Sequence, residues 1–147
     1  MSLDFQQKIA QVTRELPEVV KKLPAIGKVE GLQFIGDNFE KQGFETKKGT
    51  YKDWYKNPKS KKTKPWLIGE KRGGSLRRSW DSDTKTTATS IEFTSNLPYA
   101  GVHNEGLKAG RPPGFTMPER RMIGDSEALN ERIMDKVTRE VSKVLNK

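Results

Sequence analysis

Asn96-Leu97-Pro98-Tyr99-Ala100-Gly101-Val102-His103-Asn104-Glu105-Gly106 and, after a short Gly/Pro-rich interval, Phe115-Thr116-Met117-Pro118-Glu119-Arg120-Arg121-Met122-Ile123-Gly124 form the stretch whose reading decides how this chain folds. It holds the only histidine and four of the eight prolines. Pro98, Pro112, Pro113 and Pro118 fix φ and remove backbone donors, whereas Gly101, Gly106, Gly110, Gly114 and Gly124 permit φ > 0, so the backbone path is specified in detail. A path so constrained presents something. Tyr99, His103, Asn104, Glu105, Arg111, Phe115, Glu119, Arg120 and Arg121 mix aromatic, acidic and guanidinium groups suited to gripping another protein. An ordinary crossover loop is the alternative.

On the N-terminal side of this stretch, Thr87, Thr89, Ile91, Phe93 and Ser95 alternate with Ala88, Ser90, Glu92 and Thr94, the period-two pattern of a strand over Thr86–Ser95. Leu76–Trp80 reads as a second strand, Asp81-Ser82-Asp83 as the turn between them, and Tyr99–Val102 as a short third strand. The two carboxylates of that turn are too few and too ordinary for a metal site. On the C-terminal side, Asp125 or Ser126 caps a helix with an apolar stripe of Ile133, Val137, Val141, Val144 and Leu145, expected to lie on the sheet. At the N-terminus, Phe5, Ile9, Val12, Leu16, Val19, Val20 and Leu23 have helical spacing, Pro24 and Gly27 mark a break, and Val29–Gln42 forms a second helix ended by Gly43. The fold class is therefore α+β: a small antiparallel sheet packed against N-terminal helices and a C-terminal helix, with a long basic loop. Its 147 residues fit one domain, divided into helices (1–43), basic loop (44–72), strands and Pro/Gly-rich loop (73–124) and terminal helix (125–147).

The net charge of +9 is not spread evenly. Lys47, Lys48, Lys52, Lys56, Lys59, Lys61, Lys62 and Lys64 crowd one interval whose sole acid is Asp53. Interleaved with Tyr51, Trp54 and Tyr55, they read as a solvated loop with Trp54 pinning one end to the core; a surface facing nucleic acid is the alternative. Low hydrophobic content (32%) and a mean hydropathy of -0.84 point to a chain part of which is mobile or completed by a neighbouring subunit. No apolar run approaches the ~20 residues of a membrane span and no signal-peptide core opens the chain, so it is expected to start in the cytosol, with no membrane partner.

Enzyme chemistry does not assemble. Cysteine is absent, Lys71-Arg72-Gly73-Gly74-Ser75 lacks the lysine that a phosphate-binding loop needs after its last glycine, and no Gly-x-Ser-x-Gly elbow or metal-ligand spacing occurs. No cofactor and no metal is implied. His103 reads as a hydrogen-bonding pin for the loop, with catalysis as the lesser alternative. Arg111, Arg120, Arg121 and Arg132 suit intersubunit ion pairs or recognition of carboxylates.

The order of these motifs resembles one family, the phage virion morphogenesis or tail completion proteins of Mu-like and related tailed bacteriophages, over most of the chain from about Phe34. The matching pieces are Phe39-Glu40-Lys41-Gln42-Gly43 with Trp54, then Gly74-Ser75-Leu76-Arg77-Arg78-Ser79, then Leu97 to Gly106, then Met117 to Gly124. Where the family usually reads Pro-x-Arg-Pro-Phe-Leu-Gly, this chain has Arg121 and Met122, and the lysine-rich insertion after Gly43 is its own. The resemblance implies a non-catalytic structural protein of the virion, made in the bacterial cytoplasm, that completes the tail or head–tail joint as a ring-forming component. Its partners would be further copies of itself and other head or tail proteins. The surface expected to meet them comprises Tyr99, His103, Arg111, Glu119, Arg120 and Arg121; the clustered charge of the eight lysines suggests a segment that faces passing DNA without sequence preference or one that orders only on docking. The alternative function is a sequence-independent nucleic-acid-binding protein using Lys47–Lys64, and an enzyme using His103 comes third.

Overall fold

A computed structural model describes residues 3–56 and 75–146. The architecture is α+β, built on a single long helix, α1 (Leu3–Lys41). The expected break at Pro24 and Gly27 does not occur. Each of Pro17 and Pro24 removes one helical hydrogen bond, yet the helix continues through both, with Val19 buried between them. Gly27 is small for another reason: a Cβ there would collide with Ile91, and one at Gly31 with the Phe93 ring. The two glycines form a shallow seat on α1 for the chain that crosses it.

After Gln42, itself in the left-handed region (φ 55), the chain enters a hairpin of β1 (Gly43–Lys47) and β2 (Thr50–Asp53), paired Gly43↔Asp53 and Phe44↔Lys52. The first third or so of the expected basic loop is thus a two-stranded ribbon, its turn made by Gly49 at φ 80. The loop reading of residues 57–72 lies outside the described residues, as do Lys59, Lys61, Lys62 and Lys64.

Four further expectations are corrected. Leu76–Trp80 is not a strand but the body of helix α2 (Ser75–Asp83), because Leu76, Ser79 and Trp80 fall on one helical face and bury together. Asp81-Ser82-Asp83 closes that helix instead of making a turn, and Asp83 Oδ2 accepts from the Asn96 amide at 2.7 Å. The strand over Thr86–Ser95 shrinks to β3 (Lys85–Thr86) and β4 (Ile91–Glu92). Thr87 and Ser90 form their own turn through a hydroxyl pair 2.7 Å apart, which competes with a straight ladder. Tyr99–Val102 is helical, in α3 (Ala100–Glu105), which Pro98 precedes and a left-handed Gly106 (φ 69) ends.

A third ribbon, β5 (Lys108–Ala109) with β6 (Phe115–Thr116), precedes helix α4 (Glu127–Leu145). Ser126 is its cap, accepting from the Leu129 amide while donating to the Glu45 carbonyl at 2.6 Å. The three ribbons stay separate instead of merging into one sheet, so α4 lies chiefly on α1 and the edge of β1. Of its expected stripe Val144 is buried, Ile133, Val137 and Val141 are half-buried and Leu145 is exposed. One core gathers Ile35, Phe39, Trp54, Leu76, Trp80, Ala100 and Met122; a second joins Phe34 and Phe44 to Ala128 and Leu129 of α4. Among the described residues no helix is long and apolar enough to cross a membrane.

Candidate partner-binding surface

The segment from Leu97 to Gly124 leaves the core at α3, projects as the β5–β6 hairpin and returns through Met117–Gly124. The return is fixed by two asparagines. Asn104 accepts from the Met122 and Ile123 amides at 2.7 and 3.1 Å and donates to the Ile123 carbonyl at 3.1 Å. Asn38, fully buried on the apolar face of α1, donates to the Met122 carbonyl and accepts from the Glu45 amide, each at 3.0 Å. Trp54 Nε1 donates to the Arg121 carbonyl at 2.9 Å and its ring meets Phe39 edge-on, so the expected pinning of Trp54 to the core is present.

The residues expected to meet a partner divide by exposure. Tyr99, Arg111 and Glu119 are exposed, His103 and Arg121 half-buried, and Arg120 is only 7% exposed. Arg120 Nε donates to the Tyr55 carbonyl at 3.0 Å, its guanidinium lies 5.9 Å from the Tyr55 ring, and its amide donates to the His103 carbonyl at 2.7 Å. Burial lowers its pKa. Arg121 lies 5.9 Å from the Phe44 ring with Nε 3.1 Å from Glu119 Oε1, a contact too far off line to be a hydrogen bond, since that Nε has no such partner. Together Glu119 and Arg121 border a cleft of about 300 Å³ with Phe44, Thr46, Lys52, Asp53, Trp54 and Asp125.

His103 does not pin the loop through its ring: Nδ1 is buried and has no hydrogen-bond partner, and Tyr99 meets the imidazole edge-on at 6.3 Å. Burial, and secondarily Arg120, hold its pKa below the ordinary value. Arg132 is committed within the chain, with Nη1 2.7 Å from Asp37 Oδ2, Nη2 3.1 Å from Glu45 Oε1 and the guanidinium 5.4 Å from the Phe34 ring. Hydrogen bonds to the two carboxylates raise its pKa against the opposing effect of burial. Of the two roles its sequence context suits, Arg132 recognises carboxylates, those of its own chain; Asn38 gives one signal in the sequence, a polar residue between Ile35 and Phe39, which fits a buried hydrogen-bonding post. Lys47, Lys48, Lys52 and Lys56 are all exposed. Among the described residues no three His, Cys, Asp or Glu side chains converge as a metal site would require.

No curated protein and no solved structure matches this chain. A family model described as the phage virion morphogenesis family matches residues 38–142, which takes in every ribbon, α2, α3, the projecting loop and nearly all of α4. That match covers well over half of the sequence, and the chain belongs to the phage virion morphogenesis family.

Proposed function

We propose that the protein is a non-catalytic component of the virion that completes the tail or the head–tail joint, acting as one subunit of a ring. The family assignment carries the morphogenetic role. What supports the finer reading is the projecting loop: a rigidly tied segment exposing Tyr99, Leu107, Arg111 and Phe115 has the aromatic and arginine content of a protein contact. The partners are further copies of the chain and neighbouring head or tail proteins. Deleting the gene from the phage that encodes it should leave unjoined heads and tails, with ring density at the junction or tail end in complete particles. Intact infectious particles without the protein would overturn the role.

A second reading, contact with DNA, is favoured by the unshared charge on the β1–β2 hairpin. Lys47, Lys48, Lys52 and Lys56 make no ion pair among the described residues. A protein touching ~6 phosphates should lose about a thousandfold in affinity between about 50 and 200 mM salt, and a flat response would exclude this surface as a polyanion site.

A further inference from the structure

The β5–β6 hairpin is a rigid projection. Its base is tied by Met117 N to the Leu107 carbonyl at 2.9 Å and Leu107 N to the Val102 carbonyl at 3.1 Å, and its tip by Gly114 N to the Arg111 carbonyl at 2.6 Å. Residues 110–116 are exposed, and Phe115 is 56% so. Its ring is nonetheless held: a Cβ on Gly110 would stand 3.0 Å from Phe115 Cε1, so the ring lies against bare backbone with its other face open. An aromatic fixed before binding loses little entropy on docking. Between Gly106 and Pro118 the only charged residues are Lys108 and Arg111. Such a projection fits a recess lined by apolar and acidic groups.

The same chain carries that recess. The cleft of about 300 Å³ is lined by the apolar rings of Phe44 and Trp54 and by three acids, Asp53, Glu119 and Asp125, against two bases, Lys52 and Arg121, so that its lining is acidic on balance. Glu119 is engaged by Arg121, while Asp53 and Asp125 make no ion pair among the described residues. A projection and a different recess on every copy are the two halves of a heterologous contact, which closes into a ring when the rotation per subunit permits. We propose that the hairpin of one copy docks in the cleft of the next, Phe115 over Phe44 and Trp54, and Arg111 at Asp53 and Asp125. This inference rests on the reading of the protein as a ring subunit and names the surfaces that would build it.

The absence of cysteine makes the test clean. Particles are made with the full chain carrying Thr116→Cys and Thr46→Cys together, which leaves the Phe115 ring in place, oxidised, and run without reductant. Head-to-tail docking gives a ladder of covalent oligomers from the double variant, and no product larger than a dimer when the two single variants are mixed. A monomer band alone, or a cross-link closed within one chain, overturns the proposal. In parallel, Arg111→Glu and Asp53→Arg should each lower phage titre by about tenfold or more, and their combination should recover most of it. A combination no better than its singles, with no ladder, sinks the docking model while leaving the morphogenetic role intact. Infectious particles from the gene deletion would instead sink the role itself.

Discussion

Two side-chain amides do more to position the projecting loop than any of its charged residues. Asn104 satisfies three backbone groups of the return segment from a half-buried position, so Asn104→Ala should destabilise the fold by about 2–3 kcal/mol in denaturant unfolding, a loss under about 0.5 kcal/mol being the contrary result. Asn104 was visible in the sequence only as one of nine polar and aromatic residues on a loop; its bonds are to groups 18 and 19 positions away, which spacing cannot reveal. His103 is the reverse case. Its place beside a Gly/Pro-rich loop made it look like a pin, yet its ring nitrogen is buried without a partner. Burial first and Arg120 second lower its pKa in the fold, so the unfolded chain takes the proton more readily. Stability from this group is complete above the unfolded value near ~6.5 and falls as pH drops through it toward the lower folded value. His103→Gln should therefore flatten the dependence of Tm on pH between about 7.5 and 5 relative to the parent, and parallel curves would show that the imidazole is not the titrating group.

At the level of elements, the helical stripe of α1, the cap of α4 and the fold class were legible, while four local assignments were not. Leu76 and Trp80 sit four apart, a spacing that suits either face of a strand or one face of a helix, and burial against Ile35 and Phe39 decided it. Thr87 to Ser90 alternate correctly but hydrogen-bond to one another, and the ladder stops there. Gly27 reads in the sequence as a helix break, when its real importance, like that of Gly31, is the space it leaves. Gly31→Ala should cost about 1–3 kcal/mol, because the stiff Phe93 ring must move, and Gly27→Ala less, because the Ile91 side chain can swing aside. Equal costs would mean that both contacts yield alike. The converse substitution on exposed Pro17 restores a helical amide, and Pro17→Ala should raise stability by about 1–3 kcal/mol, read as a higher Tm by circular dichroism.

On the scale of the molecule, stability is unequal along α1, and the geometry says where it ends. The helix runs 39 residues against 19 for α4, roughly 58 Å against 28 Å at helical rise. The two are registered at one end by Arg132 on Asp37 and by Leu129 and Ala128 against Phe34; toward the other end Val19 of α1 and Val144 of α4 are each buried. Beyond Val19 toward the N-terminus the apolar side chains Ile9 and Leu16 are 48% and 37% exposed, so that stretch of helix is supported by little besides its own hydrogen bonds. Removing residues 1–14 should therefore change unfolding free energy by less than about 1 kcal/mol, whereas Val19→Asp, which places an unpaired charge at a buried position of α1, should cost about 3 kcal/mol or more. Chemical denaturation of the two variants beside the parent separates the possibilities. A large loss on truncation would mean that the first turns of α1 carry part of the core, and the stabilising contacts would then have to extend past the end of α4.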